Sequence, residues 1–185
     1  MKKNWVALFS QTGSEIVALS KILGYSPDFI ISDNIDQSKY KHHPELNDLK
    51  RVIMKGSHDN LMMFLRDTIA FVKEDTIFTL HGYLRIIPED VCDKYEIYNG
   101  HPGLITKYPE LKGKDPQLKV WQSIKDYTII GSVVHRVTAG VDEGEVISEV
   151  CYINRCSTEE ELFDKLRESS LSTWNFFMNK MGMCE

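Results

Sequence analysis

A doubly wound α/β fold, with a mostly parallel sheet that ends in a late antiparallel hairpin and a C-terminal helix, is what this sequence predicts. Three patterns predict it. Continuous apolar runs at Trp5-Val6-Ala7-Leu8-Phe9, Phe29-Ile30-Ile31 and Thr76-Ile77-Phe78-Thr79-Leu80 suit strands buried on both faces of a parallel sheet. Between them lie segments with helical spacing, the alternation that builds a parallel α/β sheet. The rhythm then changes. Two longer strand-like runs, Tyr127 to Val137 and Glu145 to Ile153, flank Thr138 to Gly144 ahead of a last helical stretch. The chain has 185 residues and no linker or repeat, so one domain over 1–185 is expected, large enough for a real core.

Taken in order, the first strand closes at Ser10-Gln11-Thr12-Gly13-Ser14. A helix fits Glu15 to Leu23, with Ile16, Leu19 and Leu23 on one face and Gly24 as its stop. After the second strand, Asn34 to Lys50 is polar and reads as a long loop. Arg51-Val52-Ile53-Met54 is a short strand, and Ser57 can cap a helix from about His58 to Lys73 on Leu61, Leu65, Ile69 and Val72. Ile97-Tyr98 leads into Asn99-Gly100-His101-Pro102, read as a turn. Pro116 suits the start of a helix reaching Ile124. Ser157-Thr158-Glu159-Glu160 reads as a capping box for the last helix, with Phe163, Leu166, Trp174, Phe177 and Met181 inward.

Composition excludes several classes. Apolar residues make up 42% and charged residues 26%, as in ordinary globular domains. A net charge of −5 argues against a nucleic-acid or acidic-membrane partner, which needs a basic face. The cluster Lys107, Lys112, Lys114 and Lys119 reads as a solvated face. Cys92, Cys151, Cys156 and Cys184 form no Cys-x-x-Cys pair and read as reduced, mostly structural thiols. Met1-Lys2-Lys3-Asn4 precedes only about five apolar residues, too few for a signal sequence, and no run nears the ~20 residues of a membrane span. A cytoplasmic protein without membrane partners, a monomer or homodimer, is expected. No metal is expected either, since His42, His43 and His58 have no partners at a ligand spacing.

Asn99, His101 and Asp142 are the candidate catalytic residues. An amide can donate to a developing oxyanion, an imidazole can carry a proton, and a carboxylate can fix the imidazole's charge. Asn-Gly is also the commonest tight-turn dipeptide, and Asp142 in Asp142-Glu143-Gly144 equally suits an ordinary acidic turn. His81 and His135 read as structural.

Blocks in order around these residues carry a resemblance. Thr79 to Pro88 (TLHGYLRIIP), Asn99 to Leu104 (NGHPGL), Lys107-Tyr108-Pro109, Gly131 to Thr138 (GSVVHRVT) and Val141-Asp142-Glu143-Gly144 together resemble the folate-dependent formyltransferases typified by glycinamide ribonucleotide formyltransferase. The resemblance spans essentially the whole chain. It implies a Rossmann-like fold and 10-formyltetrahydrofolate as formyl donor. It also implies oxyanion donors at Asn99 and His101, with Asp142 holding the imidazole charged and passing a proton through water. Leu84, Arg85, Ile86 and Ile87 would line the folate pocket, with Thr138, Ala139, Gly140 and Val141 as the facing loop.

The acceptor would be a small amine, glycinamide ribonucleotide the first candidate, with an amino-sugar nucleotide or another small amine as the alternative. Methionyl-tRNA is disfavoured, since that branch carries a further C-terminal RNA-binding domain. Thr12, Gly13, Ser14 and Glu15 would meet the acceptor, with Gly13 and Ser14 offering amides to a phosphate at a helix start. There the sequence departs from the family. Glu15 replaces the usual Asn, Ser170-Leu171 stands where the last helix usually carries Glu-His, Glu143 replaces a second Gly, and Gly100 stands where a β-branched residue is common. A non-catalytic folate-binding relative and a folate-dependent hydrolase are the other classes.

Overall fold

The structure, a computed structural model, describes residues 3–49, 52–67 and 75–183. Seven strands form one sheet: β1 (Asn4–Phe9), β2 (Phe29–Ser32), β3 (Val52–Lys55), β4 (Thr76–Leu80), β5 (Glu96–His101), β6 (Ile129–Arg136) and β7 (Val146–Ile153), in spatial order β3-β2-β1-β4-β5-β6-β7. The first five are parallel, while β6 runs antiparallel to β5 and to β7, so the predicted late hairpin is present. Around the sheet lie α1 (Ser14–Leu23), α2 (His58–Asp67), α3 (Glu89–Lys94), α4 (Pro116–Gln122) and α5 (Glu159–Lys180).

The continuous apolar strands are buried on both faces, as expected. Trp5, Ala7 and Phe9 of β1 pack with Ile16 and Leu19 of α1 and Trp174 and Phe177 of α5. Val6 and Leu8 face the other way, onto Leu61 and Leu65 of α2 and Val91 of α3. A third cluster under α4 joins Leu104, Val120, Ile130 and Val133 to Leu162 and Leu166 of α5.

Local readings shift in four places. Asn99, Gly100 and His101 are not a turn: they are the end of β5, paired with His135, Val134 and Val133. Antiparallel pairing with β6 supplies backbone partners that keep the chain extended past the point where β4 stops. The cap of α5 is Thr158, which accepts from the Glu161 amide at 3.2 Å, while Glu161 accepts from Ser157 N at 2.7 Å, one residue later than the capping box placed it. On α5, Leu162 is fully buried, whereas Phe163, and Met181 just past the helix end, are half-buried against the core. The polar loop after β2 is tied down. A 3₁₀ turn at Pro44–Leu49 drives Leu46 into the core, and Asn34 Nδ2 donates to the Gln11 and Tyr40 carbonyls at 2.9 and 2.6 Å. The expected Arg51, the last turns with Ile69, Val72 and Lys73, and Cys184 lie outside the described residues. Of the other thiols, Cys92 is buried and Cys151 exposed. Among the described residues, no helix is long and apolar enough to cross a membrane.

Candidate active site

The strand order reverses direction between β1 and β4, and ligands of open α/β sheets bind at the carboxyl ends of strands beside such a reversal. The chain leaves β1 at Ser10, β4 at His81 and β5 at Pro102, and there a cleft of about 1150 Å³ opens. It is large enough for a folate-sized ligand and a small acceptor together.

Asn99, His101 and Asp142 meet in this cleft. His101 Nδ1 is 3.2 Å from Asp142 Oδ2, and Asn99 Nδ2 donates to Asp142 Oδ1 at 3.5 Å. The Gly113 amide donates to Asp142 Oδ2 at 2.8 Å. Asp142 itself adopts φ +51°, a left-handed conformation that aims its carboxylate back at β5 and β6. Burial raises its pKa, but the hydrogen bond from His135 and the charge of His101 outweigh it and hold the acid at about 2. Burial pushes the His101 imidazole below its ordinary value, more than Asp142 and the Leu111 carbonyl raise it. The geometry pulls the other way. Leu111 O accepts from Nε2 at 2.9 Å, and a carboxylate faces Nδ1, so both contacts are hydrogen bonds only in the imidazolium. His101 is therefore a ring whose second proton is placed by Asp142 but held loosely.

His135, expected to be structural, also reaches this cluster. Its Nδ1 donates to the Arg136 carbonyl at 2.9 Å, while Nε2 lies 3.2 Å from both Asp142 Oδ1 and Asn99 Nδ2. A neutral ring accepts from Asn99, and a charged ring donates to Asp142. Only the pairing of Asn99 with His135 across β5 and β6 brings it here, and no local pattern announces that pairing.

The segment expected to line the folate pocket does border the cleft, as Leu84, Arg85, Ile86 and Ile87. Leu84 and Ile86 are 60% and 64% exposed, apolar side chains with nothing covering them. The backbone is anchored, since Leu84 N donates to Ser10 Oγ at 2.9 Å and Arg85 Nε to Asp33 Oδ2 at 3.2 Å. Across the cleft stand Thr138, Gly140 and Val141; Ala139 is exposed beside them and off the cleft wall.

Thr12, Gly13, Ser14 and Glu15 line the opposite end. Thr12 Oγ1 accepts from the Ser14 amide at 3.2 Å. Gly13 has a structural reason to be glycine: φ is +72°, and a Cβ would come within 2.7 Å of Leu46 Cδ1. Glu15 turns towards α5. Its Oε2 accepts from His81 Nδ1 at 2.7 Å and Trp174 Nε1 at 3.1 Å, and its Oε1 accepts from Ser170 Oγ at 2.6 Å. Burial works against the charge, but these donors and His81 more than offset it and lower the pKa. Lys114 also reaches the cleft, whereas Lys119 Nζ donates to the Glu110 and Lys112 carbonyls at 2.9 and 3.0 Å.

Comparison with known proteins identifies the family and the fold. Residues 28–174 match the sequence family described as Formyl transferase. Phosphoribosylglycinamide formyltransferase from Campylobacter jejuni subsp. jejuni NCTC 11168 superposes with a TM-score of 0.80 at 18% identity, covering 98% of each chain. The enzyme of that name from Streptococcus pneumoniae TIGR4 gives 0.78 at 20% identity, covering 97% of this chain and 98% of the other. A formyltetrahydrofolate deformylase from Pseudomonas putida KT2440 gives 0.69 at 17% identity, over 95% of this chain and 64% of its own. At these identities the structures establish the shared fold. The match over most of its length places this chain in the formyl transferase family.

Proposed function

We propose that this member of the formyl transferase family moves the formyl group of 10-formyltetrahydrofolate onto the amine of a small acceptor. The observation that carries the reading is the convergence of Asn99, His101 and Asp142 at the carboxyl end of β5, with Asp142 ionised. The donor supplies a formyl carbon bonded to a nitrogen that can leave, and the uncovered Leu84, Ile86 and Val141 suit the faces of a flat heterocycle.

Asn99 then serves the oxygen that gains negative charge as the amine attacks. The His101 Nδ1 proton, shared with Asp142, is the one that can turn to it, since Nε2 is taken by the Leu111 carbonyl. The 3.5 Å contact from Asn99 to Asp142 is the longest in the cluster and the one most readily exchanged for that oxygen. Removing one such donor typically slows a reaction about 10²–10³-fold. Asp142 keeps the His101 proton in place and, through a water, takes the proton of the newly bonded ammonium. Returning that proton to the departing folate nitrogen leaves N-formyl amine and tetrahydrofolate. The acceptor amine must arrive neutral, its lone pair free to attack.

Glycinamide ribonucleotide is the first acceptor to test, because it is the substrate named for the Campylobacter and Streptococcus structures. An amino-sugar nucleotide is the second. The Pseudomonas structure supports a competing reading in which water is the acceptor and formate the product. One experiment separates them. Absorbance growth from tetrahydrofolate is followed with each amine and with none, and formate is assayed in the same tubes. Amine-dependent turnover without formate is expected. Formate release indifferent to amine would make the protein a hydrolase, and no reaction with any acceptor would leave it a binding protein.

A further inference from the structure

We infer that Glu15 selects the acceptor, presenting a fixed carboxylate oxygen to a hydroxyl-bearing part of the amine and rejecting a phosphate at the start of α1. The inference rests on the amine-transfer reading above and names the chemistry of its acceptor.

Glu15 differs from an ordinary first-turn acid that waves in solvent. Its side chain is 27% exposed, and three donors from two elements fix it: His81 after β4, and Ser170 and Trp174 on α5. Its partners are themselves fixed. The His81 side chain is fully buried, and its Nε2 meets Thr79 Oγ1 at 2.8 Å. That hydroxyl already accepts from Trp5 Nε1 at 2.7 Å, so its own hydrogen is available for His81 Nε2. In either ring state Nδ1 can carry the proton given to Glu15, so the contact holds the carboxylate in place.

The accounting at the carboxylate then points to a ligand. Oε2 has two donors, whereas Oε1 has one, Ser170, and a carboxylate oxygen readily takes two. Glu15 and Ser170 both line the cleft that holds Asn99 and His101. A group placed there must donate. A sugar hydroxyl does so, and a phosphate dianion cannot without bringing like charges together.

The glycine that made the turn resemble a phosphate site has another explanation, since Gly13 is required by its positive φ and the closeness of Leu46. Lys39 and Arg167 also line the cleft, and if they held the acceptor's phosphate the native protein would prefer the phosphorylated amine, which the test below reads.

The test uses two defined amines, glycinamide ribonucleotide and the same compound without its phosphate. Calorimetric binding to the whole protein is measured with and without a folate analogue, with formyl transfer assayed in parallel. The native protein is expected to bind the unphosphorylated amine at least as tightly as the phosphorylated one. Glu15→Gln keeps the shape and the acceptor oxygen but removes the charge. It should weaken the unphosphorylated amine about tenfold and tighten the phosphorylated one about threefold, the ranges for a charged hydrogen bond and for a charge at a helix start.

A native preference of tenfold or more for the phosphorylated amine overturns the inference, and so does a ratio that Glu15→Gln leaves unchanged, or binding of neither amine at millimolar concentration. The native comparison decides even if the variant fails to fold. Binding that follows Glu15 without any formyl transfer would instead refute the proposed reaction and leave the selection intact.

Discussion

At the scale of single residues, Asp142 organises the site, and its removal should be felt in rate and in acid stability. Asn99→Ala, His101→Ala and Asp142→Ala are each expected to fold and to lower turnover by about 10² or more, measured as tetrahydrofolate release. Near-native turnover in the His101 variant would sink the mechanism. The acid behaviour follows from linkage. Asp142 is held at about 2, below its ordinary 3.8, so it binds fewer protons when folded than when unfolded. Its contribution, ~2 kcal/mol, is complete above pH ~4 and is lost as pH falls towards 2. His101 is also lowered, so its neutral form is favoured by folding, and that contribution begins to fade as pH drops through the ordinary histidine value. Both run the same way. Urea midpoints should fall from pH 7 downwards, and Asp142→Asn should flatten the segment between pH 4 and 2. An unchanged slope there would mean that Asp142 is not ionised against these partners.

At the scale of elements, the junction of β5 with α5 explains a departure that sequence alone could not. Gly100 lies on β5, and a Cβ there would come within 2.5 Å of Trp174 Nε1 and 2.9 Å of its Cε2. Trp174 is fully buried and cannot retreat, and the same Nε1 holds Glu15. Gly100→Ala should therefore destabilise by about 1–3 kcal/mol, the usual penalty for overpacking. That lowers Tm by roughly 2–4 °C per kcal/mol in a chain of this size. It should also raise KM for the acceptor amine more than it changes kcat, because Glu15 loses a partner. A variant as stable as the native protein would show that Trp174 shifts freely.

The elements themselves were legible wherever hydrophobic spacing decides them. Apolar runs such as Trp5 to Phe9 read as buried strands and are so, and Gly24 ends α1 with φ +70° as its position suggested. Asn99, His101 and Asp142 were singled out by ordered blocks of sequence, and the fold brings them together. Illegible were contacts that only the folded sheet creates. His135 reaches Asn99 because β6 runs antiparallel to β5, and Ser170 reaches Glu15 from 155 positions away. Asn99-Gly100 carries a strong turn signal, overridden here by strand pairing.

At the scale of the whole molecule, the sheet divides the labour of the cleft. In the proposed reading the carboxyl ends of β1 and β4 would carry the acceptor and the ends of β5 and β6 the chemistry, while the segment after β4 faces the loop after β6 across the proposed folate pocket. The two walls differ in how firmly they are held. Leu84 to Ile87 is pinned by Ser10, by Asp33 and by the burial of Ile87, whereas Thr138, Ala139 and Val141 are exposed. A folate analogue sandwiched between them should therefore protect both segments from amide hydrogen exchange, and the looser one by the larger factor, since local opening there starts nearer to zero free energy. Asp142 closes that loop in a left-handed conformation, so ordering 138–141 also steadies the carboxylate that serves His101. Binding of the donor and readiness of the proton-handling residues are therefore expected to be coupled. Exchange followed by mass spectrometry, with and without the analogue, gives the result directly. Protection confined to 84–87 would remove the coupling, and protection elsewhere with neither segment affected would place the folate outside this cleft.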